Sequence, residues 1–308
     1  MVMWEILYQE KVFKDFPNLA TLMHAVIDEN ARPEFPKNAA KAPGRLKKLI
    51  QKSWEPEPKS RPSMAKVVKE LEEVILDVTL QDHDARKMWR DKLGGENVVA
   101  WPKVAACIRD TLQFTEKISS FDNFDSMPIE FQCLHELVVR KGKGKKIKHA
   151  KAGNAPVVKV KQFGEMVQYF GPFDRDFLHR LKSLLTSKWF HGAVSQEDAE
   201  SSLQRADSHS FLIRFSSNAP NFTLSVKGKK QIEHHRILNI TGKGFHIWSA
   251  MYKDLHAIVA EGVKKKLFKR PCLGSPYEFL YEKKMKINPG NYSLPTTADM
   301  NQLVNQYK

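Results

Sequence analysis

The stretch that most constrains this chain is Ser208–Val226, SHSFLIRFSSNAPNFTLSV. Two apolar runs flank a polar turn, and each run alternates with period two, which predicts a pair of short strands. Alternation places Phe211, Ile213 and Phe215 on one face and Leu212, Arg214 and Ser216 on the other. A guanidinium in such a strand needs an anion or access to water. No Asp or Glu lies between His209 and Val226. The local chain offers Arg214 hydroxyls and no carboxylate, so its anion is expected from outside.

A chain of 308 residues has room for two or three domains around that hairpin. Its 42% apolar content is enough for real cores. The net charge of +15 and a pI near 9.6 favour anionic partners such as phosphopeptides, acidic lipid or nucleic acid. Three widely spaced cysteines, Cys107, Cys133 and Cys272, form no CxxC pair. They suit a reducing compartment and provide no zinc or disulfide framework. No apolar run approaches the ~18 residues of a membrane span. The N-terminus MVMWEILYQE lacks a basic region leading into an apolar stretch. We therefore expect a soluble cytoplasmic protein without a cofactor.

Composition and periodicity divide the chain at 1–78, 79–187, 188–282 and 283–308. The first segment reads as helices, two of them around the Pro-rich turn that holds Trp54, Arg61 and Pro62. In the second, DARKMWRDKLGGENVVAWPKVAACI reads as helix, Gly turn, short strand and helix, and VVKVKQFGEMVQYFGPF repeats the strand and helix. The run RKGKGKKIKHAKAGNAP, 140–156, is Gly- and Lys-rich and reads as a solvated insertion. Lys141–Lys151 could also meet anionic lipid, at roughly 1 kcal/mol per near-surface lysine. Nucleic acid is not expected as a partner. The third segment reads strand, helix, several strands, helix, strand, with Ser195 as the N-cap of its first helix. The fold class is therefore α+β, with helical segments followed by a central antiparallel sheet flanked by two helices.

Specific motifs add resemblances. VMWEIL, ARPEFP and LIQKSWEPEPKSRPSMAKVVKEL resemble the last third of a protein kinase catalytic domain of the tyrosine-kinase-like group. There Arg61 would pair with a glutamate ending the activation segment. The Gly-rich loop, the ATP-pairing lysine, H-R-D and D-F-G motifs do not occur in this sequence. The segment reads as a remnant or the product of a truncated gene model, and the chain is expected to transfer no phosphate. Its first helix, apolar nearly all round, is expected to expose surface that a complete kinase buries.

The second segment resembles the paired calcium-hand module of Cbl-type ligases. Aligned on Val99, the first loop has Lys92, Gly94, Glu96 and Lys103 at ligand positions; aligned on Val158, the second has Lys151, Gly153, Ala155 and Gln162. One carboxylate among two lysines cannot hold calcium, and FDNFDSMPIE has no central Gly and no terminal Glu at the right place for such a loop. A metal-free spacer is expected.

In the third segment, WFHG, FLIRFS, FTLSV and HHRI resemble a Src-homology-2 domain, which binds phosphotyrosine. The resemblance assigns Arg214 to the phosphate, held by its planar fork. It places Ser216, Ser217 and Thr223 as hydroxyls, with N–H groups of the following loop facing the anion. His234 and Arg236 line the pocket, and Arg236 could add a cation–π contact of ~0.5–2 kcal/mol. Gln196 stands where many members carry a second basic residue. His235 and Trp248 fall at positions that set peptide specificity. Adjacent on one strand, His234 and His235 point to opposite faces and cannot chelate one metal. No serine here has a local His–Asp pairing that would make it a nucleophile.

The order kinase, spacer, Src-homology-2 resembles the SH2-bearing kinases of amoebae. The leading expectation is a phosphotyrosine-binding module that targets a protein kinase. One alternative is a fragment of an active kinase whose catalytic two-thirds are missing from this chain. Another is a latent transcription factor that dimerises through a tail phosphotyrosine, at Tyr292 or Tyr307.

Overall fold

The computed structural model describes residues 1–36, 42–139 and 156–287. Residues 140–155, and with them Lys141–Lys151, Gly153 and Ala155, lie outside that description, as do Tyr292 and Tyr307. The chain divides into two compact units, Met1–Thr79 and Leu80–Lys308.

The first unit holds α1 (Val2–Tyr8), α2 (Leu19–Ile27), α3 (Gly44–Ser53) and α4 (Met64–Thr79). Asn18 caps α2 by accepting from the Thr21 N–H. In the Pro-rich turn, Arg61 donates to the carbonyls of Glu55 and Pro56. The arginine assigned to a distant glutamate is thus engaged by its own turn. Trp4, Leu49, Ile50 and Leu76 are buried. Val2 and Ile6 on α1 are exposed, as the sequence predicts. The exposure extends to Leu19, Met23 and Ile27 on α2 and to Met64 and Val68 on α4. Their four-residue spacing makes each set a stripe along its helix.

The second unit begins with α5 (His83–Leu93), β1 (Val98–Ala100), α6 (Trp101–Leu112), α7 (Ile129–Val138), β2 (Val157–Lys159), α8 (Val160–Phe170) and α9 (Phe177–Leu185). β1 and β2 pair antiparallel with Val99 opposite Val158, and both side chains are buried. Those are the two positions on which the loops align in sequence. Trp89 stacks on Phe163 at 5.1 Å and donates its indole N–H to the Glu96 carbonyl. Gly94 ends α5 at φ 72, where a side chain would be strained.

The sheet follows: β3 (Phe190–Gly192), α10 (Gln196–Arg205), β4 (Ser210–Phe215), β5 (Phe222–Lys227), β6 (Ile232–Ile240), β7 (Gly244–Ile247), β8 (Ala250–Tyr252), α11 (Leu255–Lys264), β9 (Arg270–Pro271) and α12 (Glu278–Ile287). The strand order is β3-β4-β5-β6-β7-β8, with β9 also on β4. β4 through β8 pair antiparallel, while β3 and β9 run parallel to β4. α10 covers one face through Ala199 and Leu203, packed with Leu212. On the other face Phe211 meets Phe268 at 4.2 Å, and α11 admits that ring at Gly262.

Two elements differ from the sequence reading. β8 follows a tight turn at Trp248 and Ser249, with φ of 52° and 62°. Neither residue is a usual choice for left-handed turn positions, so the hairpin carries no turn signature. α12 runs through the expected boundary at 282/283. Lys283 bonds Asp125 and Gln132, and Lys284 bonds Thr186, which ties this helix to the helical spacer.

Candidate functional site

Strand register assembles the site. Arg214 pairs with Thr223, and Thr223 with Arg236. One step along, Leu212, Ser225 and His234 form the next row. Residues directly opposite share a face, here the face under α10.

Arg214 is only 7% exposed. Among the described residues its Nε has no hydrogen-bond partner, and Nη1 reaches only the Phe215 carbonyl at 3.5 Å. Burial pushes its pKa down, while Glu197 and Glu200 push it up. A guanidinium keeps its proton through such shifts. The fold thus holds a buried cation whose donors are largely unspent, an arrangement that costs stability unless something binds there.

The hairpin itself offers Arg214 no carboxylate, but Glu197 and Glu200 act on it from elsewhere in the chain. They belong to α10, which docks over the row through Ala199 and Leu203, so a scan of the hairpin alone could not find them. Glu200 Oε1 lies 2.8 Å from Gln196 Nε2 and 3.0 Å from His234 Nε2. Those two hydrogen bonds hold its carboxyl below the ordinary glutamate range. His234 Nδ1 in turn lies 2.9 Å from the buried Ser225 hydroxyl. Gln196, at the position the resemblance often gives to a base, instead donates to Glu200. Thr223 is buried beside Arg214, and Arg236 is exposed at the end of that row.

The loop after β4 departs in part from expectation. The Ser216 N–H closes the loop on the Asn221 carbonyl, and Ser216 Oγ accepts from the Asn218 N–H. That N–H is therefore turned into the loop rather than toward an anion. Ser217 is exposed. The loop base is tied to the spacer. Tyr169 Oη donates to the Ser216 carbonyl at 3.4 Å, and its ring lies 4.4 Å from Phe215. The Asn239 N–H donates to Asn221 Oδ1, and its Nδ2 donates to the carbonyls of Gln168 and Tyr169. The sequence reading found neither Tyr169 nor Asn239, because nothing local marks a contact between residues so far apart in the chain.

His235 and Trp248 lie apart from this row. His235 points to the other face, with its ring 6.3 Å from Trp248, and Trp248 is 6.4 Å from Phe268. Trp248 is half-buried and not part of the core. Of the candidate residues, then, Arg214, Thr223, His234 and Arg236 share one face of the sheet, Ser216 and Ser217 follow β4 in the adjoining loop, and His235 lies on the other face near Trp248.

Residues 189–261 match the SH2 domain family. Dual specificity protein kinase shkA of Dictyostelium discoideum is 28% identical over 90% of this chain and 53% of its own length. Dual specificity protein kinase shkC of the same organism is 30% identical over 85% of this chain and 51% of its own length. The chain thus spans about half the length of these relatives. Among solved structures, the SH2 domain of the Monosiga brevicollis CRK/CRKL homolog is 28% identical. That match covers 29% of this chain and 88% of the other, with a TM-score of 0.27. Residues 189–261 are an SH2 domain, in a chain homologous over most of its length to SH2-bearing dual specificity kinases of Dictyostelium.

Proposed function

We propose that this chain binds tyrosine-phosphorylated protein segments through the Arg214 row and serves as the targeting part of a protein kinase. One observation carries the reading: Arg214 is buried, charged and, among the described residues, without a partner on Nε, directly opposite Thr223. A phosphoryl group supplies acceptors for a planar fork of donors. Arg236, exposed in the same row, is placed to flank the phenyl ring, and Ser217 adds a hydroxyl from the loop. Residues 1–79 do not transfer phosphate in this reading, since the phosphate- and metal-holding motifs of kinases are not in the sequence. The protein acts in the cytoplasm, brought to membranes by its phosphorylated partners.

On the opposite face, Trp248 closes the groove next to His235, so that selection falls on the second residue after the phosphotyrosine rather than the third. The similarity to kinases also supports a second reading, in which this sequence is a piece of a longer active kinase and the SH2 domain selects its substrates.

The test is a calorimetric titration of the chain with a degenerate phosphotyrosine peptide pool, the same pool without phosphate, and Arg214→Lys. Binding that needs both the phosphate and the arginine is expected. Equal binding of both pools overturns the reading. Incubation with ATP and a substrate peptide mixture should yield no phosphorylated product.

A further inference from the structure

Resting on the phosphotyrosine reading, we propose that Glu200 is a resident counter-anion of the Arg214 site, a carboxylate that opposes the incoming phosphoryl group and sets the affinity low. The argument starts from helix geometry. Residues three and four apart share a helix face, so Gln196, Glu197 and Glu200 lie together on α10. Packing of Ala199 and Leu203 against Leu212 turns the helix onto the row beside Arg214. Gln196 and His234 then hold the Glu200 carboxylate at 2.8 and 3.0 Å. His234 is fixed from beneath by Ser225 at 2.9 Å. The run Ser225–His234–Glu200–Gln196 spans the site from the buried sheet to the helix.

This arrangement compensates Arg214 without satisfying it. Glu197 and, next to it, Glu200 act on the guanidinium electrostatically, yet Nε keeps no hydrogen-bond partner among the described residues. The site thus sets one cation against two carboxylates and leaves the Nε donor open. A phosphotyrosine brings roughly −1.5 to −2 charge at neutral pH. It meets one buried arginine and two carboxylates at the place where a second basic residue would reinforce the pocket. Gln196 adds no charge there and instead orients Glu200. Like charges brought into one site oppose each other. The Glu200 side chain is 37% exposed, so it can turn to solvent when the ligand enters.

Glu200→Gln is the discriminating variant. It removes the charge but keeps an acceptor for Gln196 and His234 and the size of the side chain. Wild type, Glu200→Gln, Glu197→Gln and Arg214→Lys are titrated with the degenerate phosphotyrosine peptide pool and with phenyl phosphate, at low and high salt. Removing one half-exposed carboxylate from a phosphate site is expected to tighten binding by about three- to tenfold at low salt, with the gain shrinking as salt screens it. Glu197→Gln should also tighten binding, since Glu197 acts on the same guanidinium. Unchanged or weaker binding by Glu200→Gln, with wild type still dependent on Arg214, overturns this proposal alone and makes Glu200 a group that positions His234. No phosphate-dependent binding by wild type and Glu200→Gln alike overturns both readings. Melting temperatures of all variants show whether each is folded. Should Glu200→Gln unfold, Glu200→Ala is titrated in its place against the same criteria.

Discussion

Two antiparallel strand pairs in the second unit can be set side by side. β1 and β2 join the two halves of the spacer, and β4 and β5 form the centre of the SH2 sheet. In the first pair every conspicuous group has a structural use. Val99 and Val158 are buried opposite each other, Glu96 faces Lys103 at 3.9 Å, and Gln162 Oε1 accepts the Lys159 N–H. In the second pair the apolar residues are equally well placed, but Arg214 is buried with a nitrogen that has no partner among the described residues. Packing alone accounts for the first pair and leaves the second with an unexplained cost. A buried polar group that the fold does not use is a stronger pointer to a ligand than the shape of the surrounding fold.

The sharpest way to break this contrast is to remove the arginine. Arg214→Ala should cost roughly 2–5 kcal/mol of phosphopeptide affinity, the usual penalty for losing one partner of a buried charged contact. Arg214→Lys should fail similarly, because an ammonium cannot reproduce the planar fork. Because the group is buried and under-partnered, its removal should not lower the melting temperature of the free protein. A variant that melts earlier yet binds within a few-fold of wild type would make Arg214 a structural residue, and the contrast would dissolve.

The spacer has a cost of its own that titration can expose. His135 sits between Trp101 at 5.0 Å and Phe124 at 5.2 Å, with Nδ1 unpartnered among the described residues. Burial lowers its pKa from 6.5 to about 4. The unfolded chain therefore takes up this proton first as pH falls. The contribution is intact above pH 6.5 and declines toward pH 4, by roughly 3 kcal/mol at about 1.4 kcal/mol per pKa unit. His191 and His256, also lowered chiefly by burial, act in the same direction. Chemical denaturation of wild type and His135→Leu across pH 4–7.5 should show the steeper acid loss in wild type. Parallel curves would mean that His135 is protonated alike in both states.

How much of this was legible in sequence follows from which contacts are local. The two helix–strand repeats of the spacer could be read from their apolar strands and Gly turn, though the pairing of Val99 with Val158 was not. Arg214 could be read, because a charge in an apolar strand contradicts its surroundings. Glu200 could not, since its place depends on how α10 lies on the sheet, and that is set by Ala199, Leu203 and Leu212 together. Tyr169 and Asn239 tie loop and spacer across long separations and leave no local trace. The β7–β8 hairpin was hidden because Trp248 and Ser249 occupy backbone positions that Gly or Asn normally mark. The SH2 order of strands and helices was recoverable because its signature residues are close in sequence.

That turn bears on the specificity face. Trp248→Thr would combine loss of the ring with a β-branched residue at φ 52, so the strained turn would obscure the result. Asn tolerates this backbone, and Trp248→Asn isolates the ring. If the indole closes the groove, the wild type should select the second residue after phosphotyrosine. The variant should gain preference for an apolar third residue by about fivefold, close to 1 kcal/mol. A wild-type profile already dominated by an apolar third residue would limit Trp248 to packing against Phe268 and His235.

The smallest effect expected is the one that tests the first strand pair. A site binding calcium with 100-fold excess over its Kd would stabilise the folded chain by about 2.7 kcal/mol. The expectation here is no change in melting temperature on adding millimolar calcium or a chelator. The hard cation needs several oxygen ligands, most of them carboxylates. Glu96 instead faces Lys103, Lys92 donates to the Thr111 hydroxyl, and Gln162 caps the start of α8. Each group at those loop positions that the structure describes is a cation or is already spent on the protein's own contacts. Glu96→Gln should likewise leave stability within about 0.5 kcal/mol, as for other exposed ion pairs. A calcium-dependent rise of several degrees, lost in Glu96→Gln, would show that the strand pair holds a ligand after all, and the two pairs would then differ only in the sign of the ion they bind.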